Sequence, residues 1–181
     1  MRSPGVFVAA ALVALLLEVS FFPYLPGSPR PHLPLVLACS AGLVFGPQQG
    51  VRVGLLAGLL VDGWIGRLVG SAALIHAGAA WLAGHLGRGL YRDVPGLAPV
   101  TAAVATFTAD TLRGLLAGLV AEPAVGSVAM TGGWPRVLLP DAAAAAIVAP
   151  LVFRFVLWVE RRERAARNYG TDMGAGPVRL E

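Results

Sequence analysis

Glycines at four-residue intervals constrain this chain more than any other feature. Gly50, Gly54, Gly58 and Gly66 share one row with Asp62, which takes the fourth place. In a helix, residues four apart lie one turn above another on the same face. The row therefore forms a groove of bare backbone ending at a carboxylate, with Leu55, Leu56, Leu59, Leu60 and Val61 on the other sides. In water each glycine would destabilise a helix by ~1 kcal/mol relative to alanine. In a bilayer the same spacing lets a second helix approach closely. The row is thus a candidate for helix packing or partner contact, and Asp62, costly if it faced lipid, should face protein or water. The simpler alternative is a short spanning helix whose Asp62 reaches the headgroups.

Composition agrees with a bilayer. Of 181 residues, 56% are hydrophobic and 13% charged, against roughly 25% charged in soluble domains. All 14 basic residues are arginine. Their positions at the edges of apolar runs, without interleaved aromatics, argue against nucleic-acid binding despite the net charge of +4. The single cysteine, Cys39, excludes a disulfide within the chain and any cysteine-based metal cluster.

The apolar pattern predicts an all-α polytopic membrane protein with six transmembrane helices, at about 6–22, 33–46, 50–65, 68–90, 97–120 and 137–159. The second and third are short for a span, and a hairpin in thin lipid or a re-entrant pair both fit. The Gly46-Pro47-Gln48-Gln49-Gly50 stretch reads as the break between them, and Pro140 as a first-turn proline. Residues 1–160 then form a single transmembrane domain, and 161–181 a basic, disordered tail. Arg2, Arg52, Arg88, Arg92 and the cluster at 161–167 outnumber Arg30, Arg67 and Arg136, which places both termini in the cytoplasm.

Five ionisable residues inside the apolar runs need partners: Glu18, Asp62, Asp110, Arg113 and Asp141. Asp110 and Arg113, three apart, are expected to form an intramembrane charge pair. Thr106, Asp110, Gly114 and Gly118 repeat the first row's pattern of small residues around a carboxylate. Arg113 could instead neutralise Glu18 or Asp62. Asp141 reads as a first-turn carboxylate favoured by the helix dipole. His76 and His85 do not share a helix face, so each reads as a hydrogen-bonded packing residue. No catalytic, cofactor-binding or metal-ligating motif appears.

The chain resembles the MreD family of the bacterial rod-shape machinery. The likeness rests on Glu18 ending the first helix and on Pro31-His32-Leu33-Pro34-Leu35 opening the second. It continues in Gly58-Leu59-Leu60-Val61-Asp62 followed by Gly66 and Gly70, in the Gly84–Gly87 region, and in Pro140 with Ala149-Pro150-Leu151. His32 stands where the family commonly has Asp, Glu18 where it often has Gln, and an alanine run, 142–146, replaces a usual Asn. The resemblance implies a six-helix fold similar to the substrate-binding S components of energy-coupling-factor vitamin transporters. It also implies a non-enzymatic scaffold in the inner membrane, without cofactor. Its partners would be MreC and, through the elongation complex, MreB, a RodA-type glycosyltransferase and a class B transpeptidase. A vitamin-binding S component is the alternative. Ala10 and Ala14 carry the spacing by which such subunits dock, and Trp64 is its candidate pocket wall.

Overall fold

A central helix touching all the others sets the architecture. A computed structural model describes residues 4–24, 30–65, 70–89, 96–119 and 134–172, and among them there are six α-helices and no strand. Helix α1 is Pro4–Ser20, followed by a 3-10 turn at Phe22–Tyr24. The others are α2 (Leu33–Phe45), α3 (Pro47–Ile65), α4 (Ser71–Gly89), α5 (Leu97–Leu119) and α6 (Trp134–Asp172). Every residue of α2 from Leu33 to Val44 is buried. Leu37, Ala38, Ala41 and Val44 of α2 share a core with Phe7 and Ala11 of α1, Val53 and Ala57 of α3, Ala80 of α4, and Val156 and Val159 of α6. On its other sides α2 meets α4 and α5 through Leu35, Cys39 and Leu43.

The break between α2 and α3 is one residue long. The sequence suggests a five-residue interruption, but only Gly46 leaves the helical path, at φ +90°, where a side chain would be strained. Its N–H donates to the Gly42 carbonyl at 2.8 Å, closing α2, and its own carbonyl accepts from the Gly50 N–H at 3.0 Å. Pro47 then begins α3, a position where its missing N–H has no helical partner to lose. Helix α3 is accordingly 19 residues long, about 28 Å at 1.5 Å per residue. Helix α2 keeps its expected shortness.

Helix α6 departs furthest from expectation. It starts at Trp134, so Pro140 and Asp141 lie inside it, past the first turn where they were expected, and it continues to Asp172 instead of ending near 159. Glu160–Arg164 supply the reason. They are good helix formers, and Glu160 and Arg164 pair one turn apart at 2.6 Å. The part of the expected disordered tail from 173 onward lies outside the described residues, as does Gly66.

Two helical segments, Gly5–Tyr24 and Leu138–Ala165, are long and apolar enough to cross a membrane. Helix α2 is apolar but short. Helices α3, α4 and α5 carry glycine, histidine, threonine and charged side chains that lower their hydropathy. Large apolar side chains nevertheless point outward, among them Leu16 on α1, Leu74 on α4, Val104 on α5 and Ile147 on α6. Such a surface suits lipid or protein better than water.

Candidate functional site

The glycine row of α3 faces the backbone of α4. A Cβ added at Gly50 would lie 2.8 Å from the Ala80 carbonyl oxygen, and one at Gly54 2.6 Å from that of His76. One at Gly58 would lie 2.6 Å from that of Ala72. The seam is reciprocal, since a Cβ at Gly84 of α4 would stand 2.5 Å from the Pro47 Cα. Any side chain at these positions requires the helices to separate. Helix α4 makes the approach possible by presenting small residues, Ala73, Ala77, Ala80 and Gly84, toward α3.

Asp62 ends this seam and is buried. Its Oδ2 accepts the N–H groups of Gly70 at 2.9 Å and Ala73 at 3.1 Å, and its Oδ1 that of Ala72 at 3.1 Å. These belong to the N-terminus of α4, where the first N–H groups have no helical acceptor and the dipole favours negative charge. The carboxylate therefore neither faces lipid nor reaches outward.

Glu18 does the same for α2. Leu33 carries the orphan N–H there. Pro34 has none, and the Leu35 and Val36 N–H groups reach the His32 carbonyl at 2.9 and 3.0 Å. Glu18 Oε2 accepts the Leu33 N–H at 3.0 Å. His32 precedes the helix but does not cap it with its side chain, and its backbone is left-handed, φ +45° and ψ +57°. Its imidazole is engaged elsewhere.

His32 is the hub of a network that the sequence places only at a helix start. Its Nε2 lies 2.8 Å from Asp110 Oδ1, and its Nδ1 3.4 Å from Glu18 Oε1. One nitrogen of the Arg113 guanidinium is 3.3 Å from His32 Nδ1, and another is 3.3 Å from His76 Nε2. The expected direct pair of Asp110 with Arg113 is thus replaced, among the described residues, by a bridge through His32. Arg113 reaches neither Glu18 nor Asp62. The imidazole has partners in either protonation state. Doubly protonated, it donates to Asp110 and Glu18. Singly protonated at Nε2, it donates to Asp110 and accepts from Arg113 at Nδ1. The Pro-His-Leu-Pro sequence fixes His32 next to the start of α2, but its neighbours come from α1 and α5.

Three further atoms near this network lack a hydrogen-bond partner although buried: Asp110 Oδ2, Thr106 Oγ1 and His76 Nδ1. Asp141 is tied to the segment that precedes α2, its Oδ1 accepting the N–H of Arg30, two residues before His32, at 2.7 Å. Glu18, Asp62 and Asp141 therefore each hold a backbone N–H of another segment, and Asp110 holds a side chain. No trio of His, Cys, Asp or Glu among the described residues is disposed to bind a metal ion.

Neither the curated proteins nor the solved structures contain a match to this chain. A family profile, described as rod shape-determining protein MreD, matches residues 1–159. That span holds the glycine seam, both carboxylate caps and the His32 network, and on this match the chain belongs to the MreD family, bacterial membrane proteins that determine rod shape.

Proposed function

We propose that this chain is a multi-pass, non-enzymatic scaffold of the cell-wall elongation complex. In this reading it binds MreC and helps to position a RodA-type glycosyltransferase and a class B transpeptidase relative to MreB filaments. Residues 1–160 act as one transmembrane domain with both termini cytoplasmic, so the Glu18–His32–Asp110–Arg113 network lies toward the outer face. The observation that carries the reading is the use made of the polar groups. The carboxylates hold helix ends and neighbouring segments, and the imidazole and guanidinium hold one another. Such groups fix the relative positions of helices and leave apolar outer faces for contact. A transporter-type binding subunit finds less support. Trp64 is 63% exposed, pointing away from any interior pocket, and Ala10 packs partly against the core.

The family itself is a structural, shape-determining one and not a known enzyme family. Cysteine labelling at Ala165 and Ser28, in a Cys39-free chain, tests the sidedness. Ser28 should react with an impermeant reagent on intact cells and Ala165 should not. Co-purification of MreC with the full chain from membranes tests the partnership, and recovery of the chain without MreC would refute it.

A further inference from the structure

An arginine stands on the outward face of α6, within its apolar stretch. Ile147, Leu151, Arg154, Trp158 and Arg161 follow one another at spacings of four and three, which makes a single stripe along the helix. All five are exposed, Ile147 by 76% and Leu151 by 69%. Arg154 lies six residues before Glu160, the first charged residue beyond it, or about 9 Å along the axis. The other charges at this end are partly accounted for. Arg164 pairs with Glu160 at 2.6 Å. Arg162 lies over the Trp158 ring, 4.1 Å from its centroid. Arg154 and Arg161 have no ion-pair partner among the described residues.

A guanidinium facing hydrocarbon without a counter-charge is costly, and a long side chain relieves that cost by reaching toward the polar boundary. The stripe offers no carboxylate of its own. It offers cations at one end, an aromatic ring at the level where rings favour the membrane interface, and bare aliphatic side chains at the other end. We propose that this face binds an anionic phospholipid, with the phosphate between Arg154 and Arg161 and an acyl chain along Leu151 and Ile147. The match is one of charge and polarity together: a phosphate alone would leave the aliphatic part unused, and a zwitterionic lipid would bring its own cation to the arginines. The assignment rests on α6 spanning a membrane and does not depend on which partner the scaffold binds.

The test uses the full chain purified in neutral detergent. Native mass spectrometry reads retained lipid, and melting reads stabilisation, after addition of phosphatidylglycerol, phosphatidylcholine or inorganic phosphate. Phosphatidylglycerol should be retained at least threefold over phosphatidylcholine and should raise the melting temperature, and inorganic phosphate should do neither. Arg154→Gln should lower that preference at least threefold, and Arg154→Lys should keep most of it. Arg161→Gln, at the charged end of the stripe, should lower it too and carries the test alone if Arg154→Gln does not fold. Equal retention of the two lipids overturns the proposal, as does an undiminished preference in the glutamine variants. Loss of a co-purifying protein in Arg154→Gln, with lipid preference intact, also overturns it and assigns the face to a partner helix.

Discussion

The row on α3 that ends at Asp62 is closed, and the row on α5 around Asp110 is open. Gly50, Gly54 and Gly58 leave no room for a methyl group against α4, whereas a Cβ at Gly114 meets nothing within 4 Å. Asp62 has both oxygens engaged by N–H groups, whereas Asp110 has one oxygen on His32 and the other, though buried, without a partner. The difference lies in the neighbour and not in the row. A small-residue groove closes when the facing helix is also small, and α4 brings Ala73, Ala77 and Gly84 to α3. The part of α5 around Asp110 is met instead by an imidazole from the start of α2. Polar contact there joins fewer groups to protein partners than the seam does, so the two regions should respond differently to substitution.

The largest effect that could break this contrast is overpacking the seam. Gly58→Leu should destabilise the protein by at least ~3 kcal/mol, read as lost folded protein and lower melting in detergent. A wild-type melting curve would show that the seam is not closed. Next comes the cap. Asp62→Ala strands three N–H groups at the start of α4 and should cost about 2–4 kcal/mol, with Asp62→Asn losing less because one oxygen remains. Equal losses for the two would mean that charge, and not acceptor number, matters there.

The open region sharpens the comparison at smaller scale. Asp110→Asn should cost about 1–3 kcal/mol by weakening the hold on His32, and adding Arg113→Gln should restore part of it. In a His32→Gln background that restoration should vanish, because His32 is the group both residues touch. Persistence of the restoration would point to a direct Asp110–Arg113 interaction. The smallest effect belongs to Gly114→Leu, expected to leave melting within about 0.5 kcal/mol of wild type. If it matches Gly58→Leu in severity, the two rows are equivalent and the contrast fails.

Periodicity makes the α3 row and its carboxylate legible in the sequence, because spacing alone decides which residues share a helix face. It could not say what Asp62 holds. The sequence nearness of Asp62 to the start of α4 at Ser71 was the available signal, since a buried acid shortly before a helix is a candidate cap. His32 was harder to see. Its partners Glu18 and Asp110 lie on α1 and α5 and are brought to it only by tertiary packing. The spacing of Asp110 and Arg113 suggested a local pair, and a longer-range competitor took both. Helix ends failed for local reasons: Pro47 begins a helix where a break was expected, and the charged residues after Val159 are good helix formers whatever their distance from the lipid.

The burial of α2 bears on how the protein is made. A segment of 13 residues is too short to be inserted by its own hydrophobicity. In the proposed multi-pass topology α2, joined to α3 through Gly46 alone, enters the bilayer as one arm of a hairpin. At that moment only α1 and α3 are available to cover it. The faces of α2 that later receive α5 and α6 stay unprotected until those helices emerge, and the contact of Val36 with Ala145 and Ala149 closes only when more than three quarters of the chain has been synthesised. The middle of this protein is therefore the last part to be sealed during translation.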